Sequence, residues 1–523
     1  MREQIESIVV TAEQMRQIEG RIFAAGMPVA ALMEKAAGKV AARIQQLYPP
    51  SQFGKVGILV GPGHNGGDAL VVGRELHFAG FKVAVYRPLL QLKELTEQHG
   101  NYAASLGIPF YEDIELLLNC DVIIDGLFGF GLTRHLSGKI AAAVNQLNET
   151  SLPIVSIDIP SGLHTDTGEV LGTAIRATHT LCLGLWKLAF FQDSALEYLG
   201  QTELIDFGIP PSFLSPKTPT IRQITATFAR EYLPLPRSST THKYQQGHLL
   251  LICGSRPYAG AAILTGLGAR TSGVGMVSIA VPGSLKPLLV GHLPEALIIE
   301  CSETETGAIA HLPDLDLTQF NIIACGPGLT LDAFEVVSKV LTATCPLILD
   351  ADGLNILAEL GTIETLSRRK TTTVLTPHLG EFRRLFPQIS NPHQDRIRAV
   401  KEAAAQSGAI VLFKGARTAI AHPKGSVWLV PSSTPALARG GSGDVLTGLM
   451  GGLMAQIRGT YPPEEAIVAT AAWWHATAGI RAAKERTELG VDAYTLSQYL
   501  SRVLVMGYPT AAQSAIIQSR LPN

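Results

Sequence analysis

Two α/β domains in tandem are what this sequence predicts, on three observations. Short apolar runs alternate along the chain with helix-length segments, as parallel strands covered by helices on both faces require. The stretch from Gly208 to Thr220 holds four prolines and almost no periodicity, which reads as a linker. No fixed-period repeat relates the segments on either side of it, so they are read as unrelated domains over 1–215 and 225–523. At 523 residues the chain is about three times one typical domain, so two or three domains fit.

The elements follow in order. Thr11 and Gln14 have capping-box spacing, and Met15, Ile18 and Ile22 recur at helical intervals, so a helix opens the chain. A second runs from about Val29 to Leu47 and stops before Pro49-Pro50. Strands are predicted at Lys55-Val60, Lys82-Tyr86, Val122-Asp125, Ile154-Asp158 and Thr180-Leu183. Beyond the linker come His248-Cys253, Met276-Val281, Ile322-Cys325, Leu347-Asp350, Thr373-Leu375, Ile410-Phe413 and Val427-Val430. Helical stretches at Ala259-Thr271, Asp444-Gln456 and Glu464-Ala483 alternate with them.

Composition excludes several classes. A hydrophobic share of 46% rules out dominant disorder, and 42 Lys and Arg against 44 Asp and Glu disfavour a nucleic-acid partner. No long charge-free apolar stretch argues for a membrane span, and a cytoplasmic location is expected. Six cysteines without a CxxC pair read as reduced thiols packed in apolar runs, not as a disulfide framework or zinc site.

Gly61-Pro62-Gly63-His64-Asn65-Gly66-Gly67-Asp68 joins the Val60 strand to a helix expected near Ala69. Its glycines would permit positive φ and close ligand approach, and a helix start favours an anion. Neither the GxGxxG nor the GxxxxGK[ST] spacing is present. Three further strand-end loops, Asp125-Leu132, Asp158-Gly162 and Trp186-Lys187, belong to the same sheet edge and could converge there. Asn65, Asp125 and Ser161 offer oxygen ligands for a hard cation, and Asp158 could serve as acid or base. Asp125 and Asp158 read equally as turn caps.

Leu32-Met33-Glu34-Lys35-Ala36, GPGHNGGDALVVGRELHFAG (61–80), DGLFGFGL (125–132) and SIDIPSG (156–162) together resemble the YjeF N-terminal domain, the NAD(P)H-hydrate epimerase. The resemblance implies a Rossmann-like three-layer fold, with potassium held by Asn65, Asp125 and Ser161. It implies substrate contacts from His64, Asn65, Gly66, Gly67 and Asp68, from Gly129, Phe130, Gly131, Leu132, Thr133, Arg134 and His135, and from Asp158. His64 stands where the family usually has Asn, and Ala69 where it usually has Gly.

In the second half Gly440-Gly441-Ser442-Gly443-Asp444 runs into an apolar helix. Its backbone N–H groups would make an anion hole, with Asp444 as a base for a hydroxyl attacking a phosphoryl group. An ordinary helix entry with a capping Asp is the alternative. Lys414-Gly415-Ala416-Arg417-Thr418 follows a strand and puts two cations and a hydroxyl where a nucleotide could lie. His378 follows a strand and a proline, and reads as either a ligand contact or a hydrogen-bonded structural residue. Asp350 and Asp352 either serve magnesium or cap the Gly353-Leu360 helix.

GSRPYAGAAILTGLGARTSGVG (254–275), CGPGL (325–329), LDADGLNIL (349–357), TPHLGEF (376–382), KGART (414–418) and GGSGD (440–444) are similar to the ribokinase-like superfamily, and within it to the YjeF C-terminal domain, the ADP-dependent NAD(P)H-hydrate dehydratase. That resemblance implies hydrate contacts from Ala261, Gly328, His378 and Asp444. It implies nucleotide contacts from Lys414, Gly415, Ala416, Arg417, Thr418 and Gly443, with magnesium at the site and ADP as co-substrate. Thr330 departs from the glycine that often closes the GPGLG loop.

Together the resemblances imply nicotinamide nucleotide repair. The R and S hydrates of NAD(P)H (NADHX and NADPHX) are interconverted, and the S form is dehydrated at the expense of ADP, with Asp158 and Asp444 as catalytic groups. A homo-oligomer without nucleic-acid or membrane partners is expected. A ribokinase-like small-molecule kinase fused to a non-catalytic binding domain is the alternative.

Overall fold

The structure is a computed structural model that describes residues 5–214, 221–457, 459 and 462–505. The chain divides into two compact units, Met1–Gln223 with His393–Asp395, and Ile224–Pro392 with Arg396–Asn523. Part of the linker, residues 215–220, lies outside the described residues.

The first unit is built on seven parallel strands: β1 Lys55–Val60, β2 Lys82–Tyr86, β3 Phe110–Tyr111, β4 Val122–Gly126, β5 Ile154–Ile157, β6 His179–Leu183 and β7 Gln201–Ile205. Their order across the sheet is β3-β2-β1-β4-β5-β6-β7. It reverses direction between β1 and β4, as in a Rossmann sheet, so the crevice above the ends of β1 and β4 is the expected ligand position. Both faces are buried. Val56, Ile58 and Val60 pack on one side with Met33, Val40 and Ile44 of helix α2 (Val29–Leu47), whereas Leu59 and Ile123 pack on the other with Val144 and Leu147. That alternation is the period of two of an extended chain expressed in a three-layer fold.

Helix α1 (Ala12–Ala24) opens with the predicted capping box: the Thr11 hydroxyl accepts from Gln14 N at 3.0 Å, and the Gln14 amide oxygen accepts from Thr11 N at 2.9 Å. The helix after the glycine loop departs from expectation. Helix α3 spans His64–Phe78, so His64 to Asp68 form its first turn instead of a loop ahead of Ala69. Gly61, Gly63, Gly66 and Gly67 all keep ordinary negative φ. Close approach requires glycine at two of them: a Cβ on Gly61 would sit 1.6 Å from Leu127 O, and one on Gly66 2.0 Å from Gly61 O.

The second unit carries β8 His248–Ile252, β9 Met276–Pro282, β10 Leu297–Glu303, β11 Ile309–His311, β12 Ile322–Cys325, β13 Leu347–Leu349, β14 Thr373–Leu375, β15 Ile410–Phe413, β16 Ala419–Ala421 and β17 Val427–Leu429. They lie in the order β17-β16-β15-β14-β13-β12-β8-β9-β10-β11. The run from β15 to β10 is parallel; β11 and β16 flank it antiparallel, and β17 pairs antiparallel with β16. Helices α4 (Ala259–Ser272) and α7 (Ser442–Met454) cross at backbone contact, because a Cβ on Gly448 would sit 1.8 Å from Thr265 O and one on Gly268 2.2 Å from Val445 O. Between them in sequence lie α5 (Asp352–Leu360) and α6 (Leu379–Leu385); α8 (Glu464–Arg486) follows α7. Among the described residues no helix is long and apolar enough to cross a membrane.

Candidate active sites

A cavity of about 660 Å3 opens in the first unit above the β1–β4 switch point. His64, Asn65 and Asp68 line it from the start of α3, Gly129, Phe130, Gly131, Leu132, Thr133 and Arg134 from the loop after β4, and Asp158 from the end of β5. His135, Gly66 and Gly67 are not in its lining: a Cβ on Gly172 would lie 3.5 Å from His135 Cβ, and one on Gly67 2.8 Å from Met33 Sδ.

Asp158 ends β5 one residue before the predicted boundary, because its φ of +69° breaks the extended chain. This turn aims the carboxylate at a buried cation. Oδ1 accepts from the Lys187 ammonium and from Leu183 N at 3.1 Å, while Oδ2 accepts from Phe130 N at 3.3 Å. Lys187 is completely buried and also donates to Leu183 O at 2.6 Å. Burial, the largest single influence, lowers its pKa, but the charge and hydrogen bond of Asp158 together with Cys182 and Glu19 raise it on balance. Asp158 is therefore more than a turn cap.

Two groups of this cavity carry no role in the sequence reading. One is Lys187, which the sequence places in a strand-end loop as a cation inside the apolar run Leu185–Phe191 but to which it gives no task. The other is Glu19 on α1, which lines the cavity and is pushed up to about 7 by burial, against the opposing pull of Lys187. Asp68 is raised by burial too, with Asp158 and Glu19 adding to the effect.

Asp125 and Ser161 lie together and completely buried. The Ser161 hydroxyl donates to Asp125 Oδ1 at 2.6 Å; Ser161 N and the Ser156 hydroxyl donate to Oδ2 at 2.9 and 2.8 Å. Phe128 N donates to Ser161 Oγ at 2.8 Å, and a Cβ on Gly129 would lie 3.1 Å from Asn65 Oδ1, so the loop after β4 bridges all three. The buried Asn65 amide nitrogen has no hydrogen-bond partner.

In the second unit Gly441 (φ +89°) caps helix α7, and Asp444 occupies its first turn. Burial raises the Asp444 carboxyl to about 7, with Asp350 adding to the rise and Lys414 opposing it. Asp350, completely buried at the end of β13, accepts from Lys414 Nζ at 2.6 Å and from the Thr447 hydroxyl at 2.7 Å. Burial works against its ionisation, yet Lys414 and the Thr447 and Thr376 hydroxyls hold it below the ordinary carboxylate range. A Cβ on Gly443 would lie 3.5 Å from Lys414 Nζ, so the ammonium sits at the glycine-rich entry of α7.

The two readings of Asp350 and Asp352 now separate. Asp352 accepts from Thr330 N at 2.9 Å and from the Asn355 amide, a local cap, whereas Asp350 belongs to the charged cluster. Thr330 takes φ +67° in the place where a glycine would be unstrained. Ala261 and Gly328 meet, a Cβ on Gly328 falling 2.7 Å from Ala261 Cβ. His378 caps α6: its Nδ1 accepts from Gly380 N at 2.9 Å, and its ring is half exposed. Gly415, Ala416, Arg417 and Thr418 form the turn after β15, where the Gly415 backbone rests against buried Arg396. His475 of α8 was not singled out from sequence. Its Nε2 lies 2.9 Å from Ser442 O, and burial lowers its pKa to about 4, so a neutral imidazole buttresses the entry of α7.

Two family models match the chain, one described as YjeF-related protein N-terminus over residues 29–189 and one as NAD(P)H-hydrate dehydratase over 249–502. Among curated proteins, a bifunctional NAD(P)H-hydrate repair enzyme Nnr from Synechocystis sp. is 55% identical over 499 residues, 94% of each chain. Its namesake from Thermosynechococcus vestitus is 51% identical over 504 residues, 94% of this chain and 96% of that one. Among solved structures, an ADP/ATP-dependent NAD(P)H-hydrate dehydratase from Bacillus subtilis, co-crystallized with ATP/Mg2+, is 34% identical, with a TM-score of 0.48 over 56% of this chain and 100% of that one.

Proposed function

The chain belongs to the bifunctional NAD(P)H-hydrate repair enzymes, and from that premise we propose that its first unit interconverts the R and S hydrates while its second dehydrates the S form with ADP, giving AMP and phosphate. The observation that carries the reading is that each unit holds its own carboxylate–lysine pair at a sheet edge: Asp158–Lys187 in one and Asp350–Lys414 in the other.

The hydrate carries its hydroxyl on C6, beside N1, so the nitrogen lone pair can expel it and readdition from the opposite face inverts the carbon. The dinucleotide's anionic part would meet the N–H groups at the start of α3. Asp158, fixed by Lys187 and two backbone donors, would exchange a proton at C6. Potassium fits the residues present. Asn65, Asp125 and Ser161 are hard oxygen donors, and among the described residues Asp125 is completely buried with hydroxyl and N–H partners but no cationic one. The ion would supply that missing charge and hold the loop after β4 beside α3.

Dehydration also removes a C5 proton and faces hydroxide as a poor leaving group, which phosphorylation cures. Asp444 in its ionised form would take the hydroxyl proton as the C6 oxygen attacks the β-phosphorus of ADP. The N–H groups at the entry of α7 and the Lys414 ammonium would hold the developing charge. Gly415 to Thr418 would contact the nucleotide, and Ala261, Gly328 and His378 the hydrate. Magnesium, expected with the ADP phosphates, asks for one or two carboxylates plus phosphate and water, and Asp350 and Asp444, close enough that the first raises the second's pKa, are the carboxylates that would serve it. The protein is expected to work in the cytoplasm on small-molecule substrates, as a homo-oligomer.

Separated hydrate epimers test the reading. Asp158→Asn should stop conversion of the R form above its enzyme-free rate while the S form is still dehydrated; Asp444→Asn should show the reverse. A variant that loses both activities together would contradict two independent sites.

A further inference from the structure

Inversion at C6 asks for two proton transfers on opposite faces: one to the hydroxyl that leaves, one from the water that arrives. Asp158 can serve one of these. Its oxygens are held by the Lys187 ammonium, Leu183 N and Phe130 N, so it is a fixed anion on one wall.

Asp68 of α3 also lines the cavity, but burial holds its carboxyl well above the ordinary range; the other carboxyl there is Glu19. It stands on α1, on a different element from Asp158, and lines the same cavity with Arg16, Gly20 and Phe23. Among the described residues no hydrogen bond reaches its carboxyl, which leaves both oxygens available to a ligand. The charged groups acting on it are Lys187 and Arg16, which favour its ionised form, and Asp158, which opposes it; Glu19 in turn acts on Asp68 of α3. Burial prevails, and the group changes charge at about 7. A cavity holding one ion-paired carboxylate and one carboxyl poised to give or take a proton has the two unlike groups such a reaction requires.

We propose that Glu19 is the second acid–base group of this cavity, the partner of Asp158 in inverting the hydrate. The proposal rests on the epimerase reading. In one direction Glu19 gives its proton to the C6 hydroxyl as the C–O bond breaks, the N1 lone pair forms the C=N bond, and water departs. Water then adds to C6 from the other face, the electron pair returns to N1, and the proton released from oxygen passes to the Asp158 carboxylate. The two carboxyls finish with their protons exchanged, ready for the reverse reaction, and are reset by exchange with solvent.

The test measures initial rates of R-hydrate epimerisation by the full-length protein across pH, against an enzyme-free control. The wild-type kcat should fall as pH rises through about 7, where Glu19 loses its proton. Glu19→Gln should lower kcat at least ~100-fold, the scale of a lost general acid, with KM little changed and the limb near neutrality gone. Glu19→Asp should restore part of the rate with a displaced limb, and ADP-dependent dehydration of the S hydrate should persist in both variants. In the wild type, a glutamate carboxyl carbon that titrates near 7 by NMR and vanishes in Glu19→Gln identifies the group without turnover. Wild-type kcat in Glu19→Gln, or a limb that survives the substitution, would overturn the proposal. So would equal loss in both variants through KM, the mark of a packing role. A wild type no faster than the control would instead bring down the epimerase reading itself.

Discussion

Lys187 and Asp158 form an almost fully buried ion pair in the cavity wall, and that is the most exacting arrangement in the first unit. Removing one partner of a buried pair leaves the other charged and unsolvated, a loss of about 3–5 kcal/mol. Lys187→Met should therefore lower the unfolding free energy by roughly that amount in denaturant titration, and adding Asp158→Asn should recover much of it. Additive losses would show that the two groups do not act as a pair. Asp444 presents the opposite case. Lifting a carboxyl from its ordinary 3.8 to about 7 means that its ionised form is disfavoured in the folded chain. Native stability is thus undiminished below about 4, falls as pH rises toward 7, and stays level above. Asp444→Asn should raise Tm at pH 8 and leave it unchanged near pH 4, while dehydration drops at least ~100-fold. In the wild type the dehydration rate should fall as pH drops below about 7, because a base must be ionised. A Tm lowered at pH 8 would contradict this account.

At the scale of elements, the sheet interior was legible and its margins were not. Val122–Gly126 is buried at every position and announces itself as an apolar run, but Gln201–Ile205 and Leu297–Glu303 are mostly half-exposed and carry polar side chains. Gln201–Ile205 is an edge strand and Leu297–Glu303 is next to one; strands so placed bury one face or less and lack the signal used to find central ones. Glycine misled in a different way. The cluster before Ala69 resembles a loop in composition, yet a first helical turn tolerates glycine, and here the space left by the absent Cβ atoms is filled by Gly61 O and Met33. Asp125, Asp158, Ser161 and Asp444 were legible because each lies in a motif at or just after a strand end or at a helix start. Glu19 and His475 were not, and Lys187 was placed at the sheet edge without a role, because what singles them out is burial beside groups far away in sequence. The α4–α7 crossing yields a prediction at this scale. A Cβ on Gly448 would meet backbone instead of a flexible side-chain end, so Gly448→Ala must push the helices apart. It should destabilise the second unit by about 1–3 kcal/mol and weaken dehydration, since α7 also carries Asp444. Unchanged stability and activity would mean the crossing is looser than its geometry indicates.

Across the whole molecule, the two units meet complementary chemical needs. The hydroxyl carbon of the hydrate exists in two configurations, and a stereospecific phosphorylation site uses one of them, so without the epimerase the other is repaired only as fast as it interconverts unaided. Lys414 allows the units to be separated: Lys414→Ala should remove the cation shared by Asp350 and the α7 entry and impair dehydration, yet leave the R-to-S interconversion rate unaltered. Simultaneous loss of both activities would argue for coupled folding.

The central claim, that one chain carries an epimerase and an epimer-specific, ADP-driven dehydratase, is tested most directly by time courses on a mixture of R and S hydrates, with and without ADP. With ADP, both epimers should disappear faster than in the enzyme-free control, the absorbance of the reduced nicotinamide should return in full, and AMP and phosphate should appear in equal amounts. Without ADP, the epimers should interconvert while the absorbance stays flat. An R hydrate left behind at its spontaneous rate, or a phosphorylated hydrate that accumulates while the absorbance fails to return, would contradict it.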